Sequence, residues 1–129
     1  MRCDYRIVAI VIGSFAAGLG VASVLHAQTK PPAYVFAEID VKDQDGYAKD
    51  VLPKARANVE EFGGKYLAGG FNKAISLNGA PPANRVALLE FRDLDALQAF
   101  AAKQKQLEAA IGNKYATFRG IGIEGVERK

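Results

Sequence analysis

The chain is poor in the side chains that most often carry metal, haem and nucleophilic chemistry. It has one Cys, one His, one Met and no Trp in 129 residues. Cys3, His26 and Met1 all lie before residue 28, in a segment that the sequence predicts to be removed. A domain that begins after this segment contains neither Cys nor His. It therefore cannot form a zinc site from these residues, ligate haem through His, or use a Ser-His or Cys-His nucleophilic pair. It can form no disulfide either.

Length and charge narrow the class of protein further. A chain of 129 residues suits one domain with one hydrophobic core. Its 17 basic and 14 acidic residues give a formal net charge of +3. The basic residues are dispersed among the acids, so we expect no nucleic-acid partner. The side chains that remain, mainly carboxylates, Arg, Lys and Tyr, lead us to expect no cofactor and no metal.

The first 33 residues have the layout of an export segment. A short basic start precedes a charge-free run from Ile7 to Leu25, and Leu25-His26-Ala27 is a usable cleavage site. We therefore expect residues 1–27 to be a signal peptide, residues 28–33 a tether, and the protein to be exported to the periplasm. The alternative is an uncleaved inner-membrane anchor that faces the periplasm, because 19 helical residues span roughly 28 Å.

Residues 34–126 alternate between strand and helix patterns. Pro53 interrupts the first helical pattern, which predicts a kinked helix or a new helix starting near Pro53. The pair Gly63-Gly64 ends that helix, and Gly69-Gly70 predict a bulge or a close backbone approach. The expected strands are Tyr34–Val41, Lys65–Leu77, Arg85–Phe91 and Lys114–Val126, and the expected helices are Tyr47–Phe62 and a second that begins at the N-cap Asp93 and fades by Ile111 and Gly112. This β-α-β-β-α-β order is that of an α+β, ferredoxin-like fold with a four-stranded antiparallel sheet in the order 4-1-3-2.

Two helices cover only one face of such a sheet. The other face needs a partner, and a second copy of the chain is the natural one, so we expect a homodimer. On the second helix, Gln104 and the lysines beside it are expected to face solvent.

Three charged residues are predicted to share the face away from the helices. The alternation of the expected strands Tyr34–Val41 and Arg85–Phe91 places Glu38 and Glu90 there, and Arg119 is expected to join them from the last strand. The three side chains suit a small polar ligand, or one Glu with a raised pKa suits a general base. The plainer alternative is that Arg119 pairs with Glu38 or Glu90 and only balances charge.

Three aromatic residues are candidates for ligand contacts. Tyr34, Phe36 and Tyr66 suit a pocket for an aromatic or apolar molecule, or the core of a dimer interface. The glycine pairs at 63–64 and 69–70 lack the spacing and the strand-to-helix context of a nucleotide-binding loop.

Three blocks of sequence resemble a known family. Ala33-Tyr34-Val35-Phe36-Ala37-Glu38-Ile39, Gly63-Gly64-Lys65-Tyr66-Leu67-Ala68-Gly69-Gly70 and Arg85-Val86-Ala87-Leu88-Leu89-Glu90-Phe91 are similar to the signature blocks of the small bacterial family called domain of unknown function 1330, and the end of the chain is similar to an exported subgroup. The resemblance implies a dimeric α/β barrel and no established reaction. The run of residues 100–106 departs from the aromatic run that many members carry there.

Two functions remain open at this point. The first is an exported small-ligand-binding or non-catalytic protein. The second is a cofactor-free enzyme of the monooxygenase or isomerase kind acting on a small organic substrate, with Glu38 or Glu90 as the base and Arg119 holding an anionic substrate.

Overall fold

Four antiparallel strands form one sheet in a computed structural model that describes residues 30–127. The predicted export segment, residues 1–27, lies outside the described residues. The sheet order is β2-β3-β1-β4, which confirms the predicted order and the ferredoxin-like α+β fold. The strands are β1 (Ala33–Val41), β2 (Lys65–Phe71), β3 (Arg85–Phe91) and β4 (Ala116–Glu124).

The first helical segment is made of three pieces. A three-residue helix, Gln44–Gly46, leads into a π-helical turn, Tyr47–Val51, and then into α1 (Leu52–Glu61). Pro53 lies in the first turn of α1, where its fixed φ fits the helix. Val51 and Leu52 both have right-handed helical backbone, so the predicted start of a helix near Pro53 is present as a continuation of the π-helical turn and not as a separate helix. Gly63 takes a left-handed φ of 71° after the helix end, as predicted.

The second helical segment runs further than its sequence suggested. The Asp93 side chain caps α2 (Leu94–Leu107) by accepting a hydrogen bond from the Ala96 N–H at 2.9 Å, which confirms the predicted cap. A second π-helical turn, Glu108–Gly112, and a short helix, Asn113–Tyr115, follow. The helical path lasts beyond Gly112 because the Tyr115 carbonyl accepts the Lys42 N–H at 2.8 Å, which fastens this last turn to the end of β1.

Strand β2 is shorter than predicted. It ends at Phe71 instead of Leu77, because Asn72 adopts a left-handed φ of 56° and donates its N–H to the Asn84 carbonyl at 2.7 Å. The predicted bulge is present as a register shift between Tyr66 and Ala68 against β3. A Cβ at Gly69 would overlap the carbonyl oxygen of Val86, so the close backbone approach is also confirmed.

The hydrophobic core lies between the helices and one face of the sheet, in two clusters. The larger cluster includes Phe91 and Phe100, whose ring centroids are 4.8 Å apart. The smaller cluster surrounds the fully buried Val51 and Ala116. Within residues 30–127, no helix has the length and apolarity needed to cross a membrane.

Candidate functional site

A cavity of about 240 Å³ opens between the sheet and the two helical segments. Its wall is mainly apolar and uses side chains from both core clusters. A few polar side chains converge on it. The apolar wall includes Val35, Ile39, Val59, Ala87, Leu97 and Phe100, and the polar residues are Tyr47, Tyr66, Arg85, Gln104, Lys105, Glu108 and Arg119. A mostly apolar cavity with a small number of polar groups is the usual form of a small-molecule site.

Arg85 and Tyr47 form the polar centre of the wall. Arg85 is the first residue of β3, and the alternation of that strand places it on the same face as the buried Ala87 and Leu89. Its guanidinium carbon lies 5.5 Å from the centroid of the Tyr47 ring, at cation–π distance. Tyr47 is only 4% exposed, and this burial raises the pKa of its phenol although Arg85 lowers it.

Tyr66 joins this group from the neighbouring strand. It is paired with Leu89 in the register of β2 and β3, so it lies on the helix side of the sheet. Burial raises the pKa of the Tyr66 phenol, against the opposing effect of Arg56 and Arg85. Both phenols therefore keep their protons at neutral pH and can donate hydrogen bonds to a ligand.

Gln104 and Glu108 reach the cavity from the second helical segment. They are four residues apart on the stripe that also holds Leu97 and Ala101, so they lie on one side of the helix. The expectation that Gln104 faces solvent was wrong, because its side-chain oxygen accepts a hydrogen bond from Asn58 at 3.1 Å. Burial raises the pKa of the Glu108 carboxyl, and the nearby Lys105 only partly opposes this.

The two π-helical turns begin at cavity residues. Tyr47 is the first residue of one turn and Glu108 is the first residue of the other. The two turns also pack against each other. Single π-helical turns inside helices occur frequently at functional sites, because the wider turn changes the direction of the side chains beside it.

The side chains of the predicted charged residues lie on the opposite face of the sheet, although Arg119 also borders the cavity. Glu38 is directly opposite Arg119 in the register of β1 and β4, and Glu90 is opposite Tyr34 in the register of β1 and β3. The Arg119 Nη1 and Glu38 Oε2 atoms are 3.6 Å apart. The structure thus contains the Arg119–Glu38 ion pair that the plainer alternative names. The pair is not deeply buried in the single chain, since the Arg119 side chain is 73% exposed and the Glu38 side chain 26% exposed.

The predicted aromatic residues are divided between the two faces. Tyr34 and Phe36 lie on the face without helices, where Phe36 is opposite Ile121 and Tyr34 is opposite Ile123. Tyr66 lies on the other face, in the cavity wall. No single pocket in the described chain can therefore contain all three.

Sequence reasoning missed Arg85, Tyr47 and Glu108 as site residues. The pattern of β3 carries a usable sign, because Arg85 is a charged residue in phase with the apolar positions Ala87 and Leu89. Glu108 is likewise a charged residue on the apolar stripe of its helix. Among residues 30–127, no three His, Cys, Asp or Glu side chains are grouped so that they could hold a metal ion.

Comparisons with known proteins support the fold but identify no activity. A protein of unknown function from Rhodopseudomonas palustris is 15% identical, with a TM-score of 0.51 over 84% of this chain and 94% of that one. A methylated form of the same protein is 15% identical, with a TM-score of 0.50 over 84% and 91% of the two chains. An EthD-like protein from Ralstonia eutropha is 17% identical, with a TM-score of 0.48 over 78% of this chain and 96% of that one. At these identities the Rhodopseudomonas structures support the fold alone.

The comparison with family models assigns the chain to a family. No curated protein matches the chain. Residues 32–125 match the family model described as domain of unknown function (DUF1330), which is most of the chain and nearly all of the described part. The protein therefore belongs to the DUF1330 family.

Proposed function

We propose that the protein binds a small organic molecule in the cavity between the sheet and the helices. The observation that carries this proposal is the convergence of a few polar side chains on an otherwise apolar cavity of about 240 Å³. An apolar cavity of roughly 150 Å³ holds benzene. The volume here accordingly suits one ring with a short polar substituent.

The proposed binding protein acts as a homodimer. The face of the sheet without helices presents the exposed apolar side chains Phe36, Ile121 and Ile123. These residues are neighbours, because Phe36 is opposite Ile121 and Ile123 follows two residues later on the same face. A second copy of the same face would bury them and would enclose the Glu38–Arg119 pair. In analytical ultracentrifugation, Ile121→Asp should weaken self-association, whereas Ile75→Asp, in the exposed loop after β2, should leave it unchanged.

The proposal places the site of binding in the periplasm, after export of the protein. This part of the proposal is based on the basic start, the charge-free run and the cleavage site at residues 1–27. N-terminal sequencing of the exported protein tests it, since a first residue of Gln28 would rule out the membrane anchor and a first residue of Met1 would rule out cleavage.

A second candidate function is cofactor-free proton transfer on the bound molecule. It is favoured by Glu108, a carboxyl in the cavity wall whose pKa is raised by burial, as suits a general acid or base. Phenylacetate incubated with the protein in heavy water would gain deuterium at its methylene carbon if this were so. Glu108→Gln should abolish that exchange, and an unchanged rate of exchange in this variant would exclude Glu108.

The binding proposal is tested by filling the cavity. Ala101 lines the cavity, whereas Ala102 does not, and both are exposed alanines in α2. Leucine has nearly the same helix propensity as alanine, so Ala101→Leu and Ala102→Leu form a matched pair. Native mass spectrometry of the purified protein would read any retained molecule, and amide chemical shifts would follow titration with the neutral ring compound benzyl alcohol.

The expected result is binding to the wild type and to Ala102→Leu, with weaker binding to Ala101→Leu. Shifts should concentrate at amides around the cavity, such as those of Ala87 and Leu97. Equal binding by both leucine variants would place the molecule elsewhere. No binding by the wild type, with no retained mass, would overturn the proposal.

A further inference from the structure

We propose that Arg85, Tyr47 and Tyr66 form an acid-binding end of the cavity, so that the ligand is a single-ring organic acid held by its carboxylate. This inference depends on the proposed function, since it names the class of molecule that the same cavity binds. The experiment below separates the two.

Arg85 is a cation of the cavity wall outside the described ion pairs, and the acid in the same wall, Glu108, has a carboxyl whose pKa is raised by burial. The ion pairs found among residues 30–127 are Arg92–Asp93, Lys103–Glu61 and Arg119–Glu38, and none of them includes Arg85. Its guanidinium carbon lies 5.5 Å from the centroid of the Tyr47 ring, and a hydrogen bond links the two side chains. Because a guanidinium carries five N–H donors, one such bond leaves donors for another group. A guanidinium at the wall of an apolar cavity matches a carboxylate through two parallel hydrogen bonds.

The two phenols complete the recognition of a carboxylate. Tyr47 and Tyr66 both line the cavity, and both lie within electrostatic range of Arg85. Their raised pKa values keep the hydroxyl groups protonated, so they act as donors beside the cation. One cation and two hydroxyl donors together can satisfy the oxygens of one carboxylate.

The rest of the cavity fits the body of such an acid. Its apolar wall includes Val59, Ala87, Leu97 and Phe100. These side chains offer van der Waals contact and no charge to a ring. The polar end selects the carboxylate and the apolar wall selects the ring, a combination that neither a free inorganic anion nor a neutral hydrocarbon satisfies.

Benzoate and benzamide are the probes that test the inference. They have nearly the same shape, and only benzoate is charged at neutral pH. Their dissociation constants would be measured by amide chemical-shift titration for the wild type, Arg85→Gln, Arg85→Lys and Tyr66→Phe. Arg92→Gln is the matched control, because Arg92 directly follows the same strand, is 80% exposed and is paired with Asp93 outside the cavity wall.

The wild type should bind benzoate at least tenfold more tightly than benzamide. Arg85→Gln should lower benzoate affinity about tenfold to a hundredfold, the range expected for a lost charge-assisted hydrogen bond, and should leave benzamide affinity within about twofold. Arg85→Lys should keep part of the preference because it keeps the charge. Tyr66→Phe should lower benzoate affinity about tenfold, and Arg92→Gln should behave as the wild type does.

Two results would overturn the inference in distinguishable ways. Equal affinity of the wild type for the two probes, or an undiminished preference in both Arg85→Gln and Tyr66→Phe, would refute the acid-binding end while the cavity remained a binding site. Failure of the wild type to bind either probe would refute the inference together with the proposed function. Since Tyr66 is half-exposed near the sheet edge, its variant supplies the answer if Arg85→Gln does not fold.

Discussion

Replacing Asn84 with Ala should destabilise the protein strongly, because one side chain joins the ends of two strands. The Asn84 Oδ1 atom accepts the Val41 N–H at 2.8 Å, and the Asn84 Nδ2 atom donates to the Val41 carbonyl at 2.9 Å. The last backbone pair of β1 and β3 in the register is Ile39 with Arg85. The Asn84 amide therefore extends that ladder past its end, next to the arginine of the cavity.

The expected loss follows from these two bonds. A neutral hydrogen bond contributes about 1 kcal/mol net, so the pair contributes about 2 kcal/mol. Val41 is buried, and its N–H and carbonyl would lose their only side-chain partner in the variant. Leaving such groups unsatisfied adds a penalty of roughly 1–3 kcal/mol. Asn84→Ala should accordingly lower the free energy of unfolding by about 3–5 kcal/mol.

Urea unfolding followed by circular dichroism measures this loss. The urea concentration at half-unfolding should fall. The slope of the unfolding free energy against urea concentration should stay unchanged, since the surface exposed on unfolding is nearly the same. All variants need one protein concentration, because self-association would add to apparent stability. Asn78→Ala is the control, as Asn78 lies in the exposed loop and should change the free energy by less than about 0.5 kcal/mol. A loss for Asn84→Ala as small as that of the control would refute the reasoning.

Three further changes test other parts of the structure. Phe100→Ala should cost about 3–5 kcal/mol of unfolding free energy in the same urea assay, because Phe100 is buried against Phe91; a loss below about 1 kcal/mol would contradict this packing. Glu108→Gln should raise the melting temperature at pH 7 and leave it unchanged near pH 3.5. The raised pKa of Glu108 means that the folded state holds its proton more tightly than the unfolded state, so the stability that this provides is present below the ordinary pKa and is lost as the pH rises through the folded pKa. An equal melting temperature for wild type and Glu108→Gln across this range would exclude that perturbation. Glu38→Gln should change the stability of a single chain by about 1 kcal/mol or less, as for other exposed ion pairs. In the homodimer proposed above it should raise the dissociation constant measured by ultracentrifugation, and an unchanged constant would show that association does not bury the pair.

The fold could be predicted because its patterns are local and consistent with one another. The alternation in β1 identifies the buried face, Asp93 caps a helix, and the Gly63-Gly64 pair ends another. The order of elements then leaves few topologies for a single antiparallel sheet. The end of β2 could not be found this way, because it depends on the left-handed Asn72 and on its hydrogen bond to a residue twelve positions later.

The site was harder to predict because it depends on pairing across the sheet. The face that Tyr66 occupies is set by its register with Leu89, and the bulge that follows changes the phase of the rest of β2. The π-helical turns have no separate signature in a stretch of five residues, so the directions of Tyr47 and Glu108 could not be inferred. Arg85 and Glu108 also break the apolar pattern of the elements they belong to, as residues at functional sites often do.

The wider turn at Tyr47–Val51 affects how the site tolerates a change in the length of the chain, and not only in its chemistry. The Leu52 N–H donates to the Tyr47 carbonyl, so the five residues of this turn occupy the place of four in an α-helix. Deletion of one residue from 48–50 would close an ordinary helical turn with Tyr47 still bonded to Leu52, and Tyr47 would keep its direction. An α-helix advances about 100° per residue, so the same deletion within α1 would rotate Tyr47 by that angle relative to the residues after the deletion. This turn can thus absorb a one-residue change in helix length that elsewhere would turn Tyr47 away from Arg85.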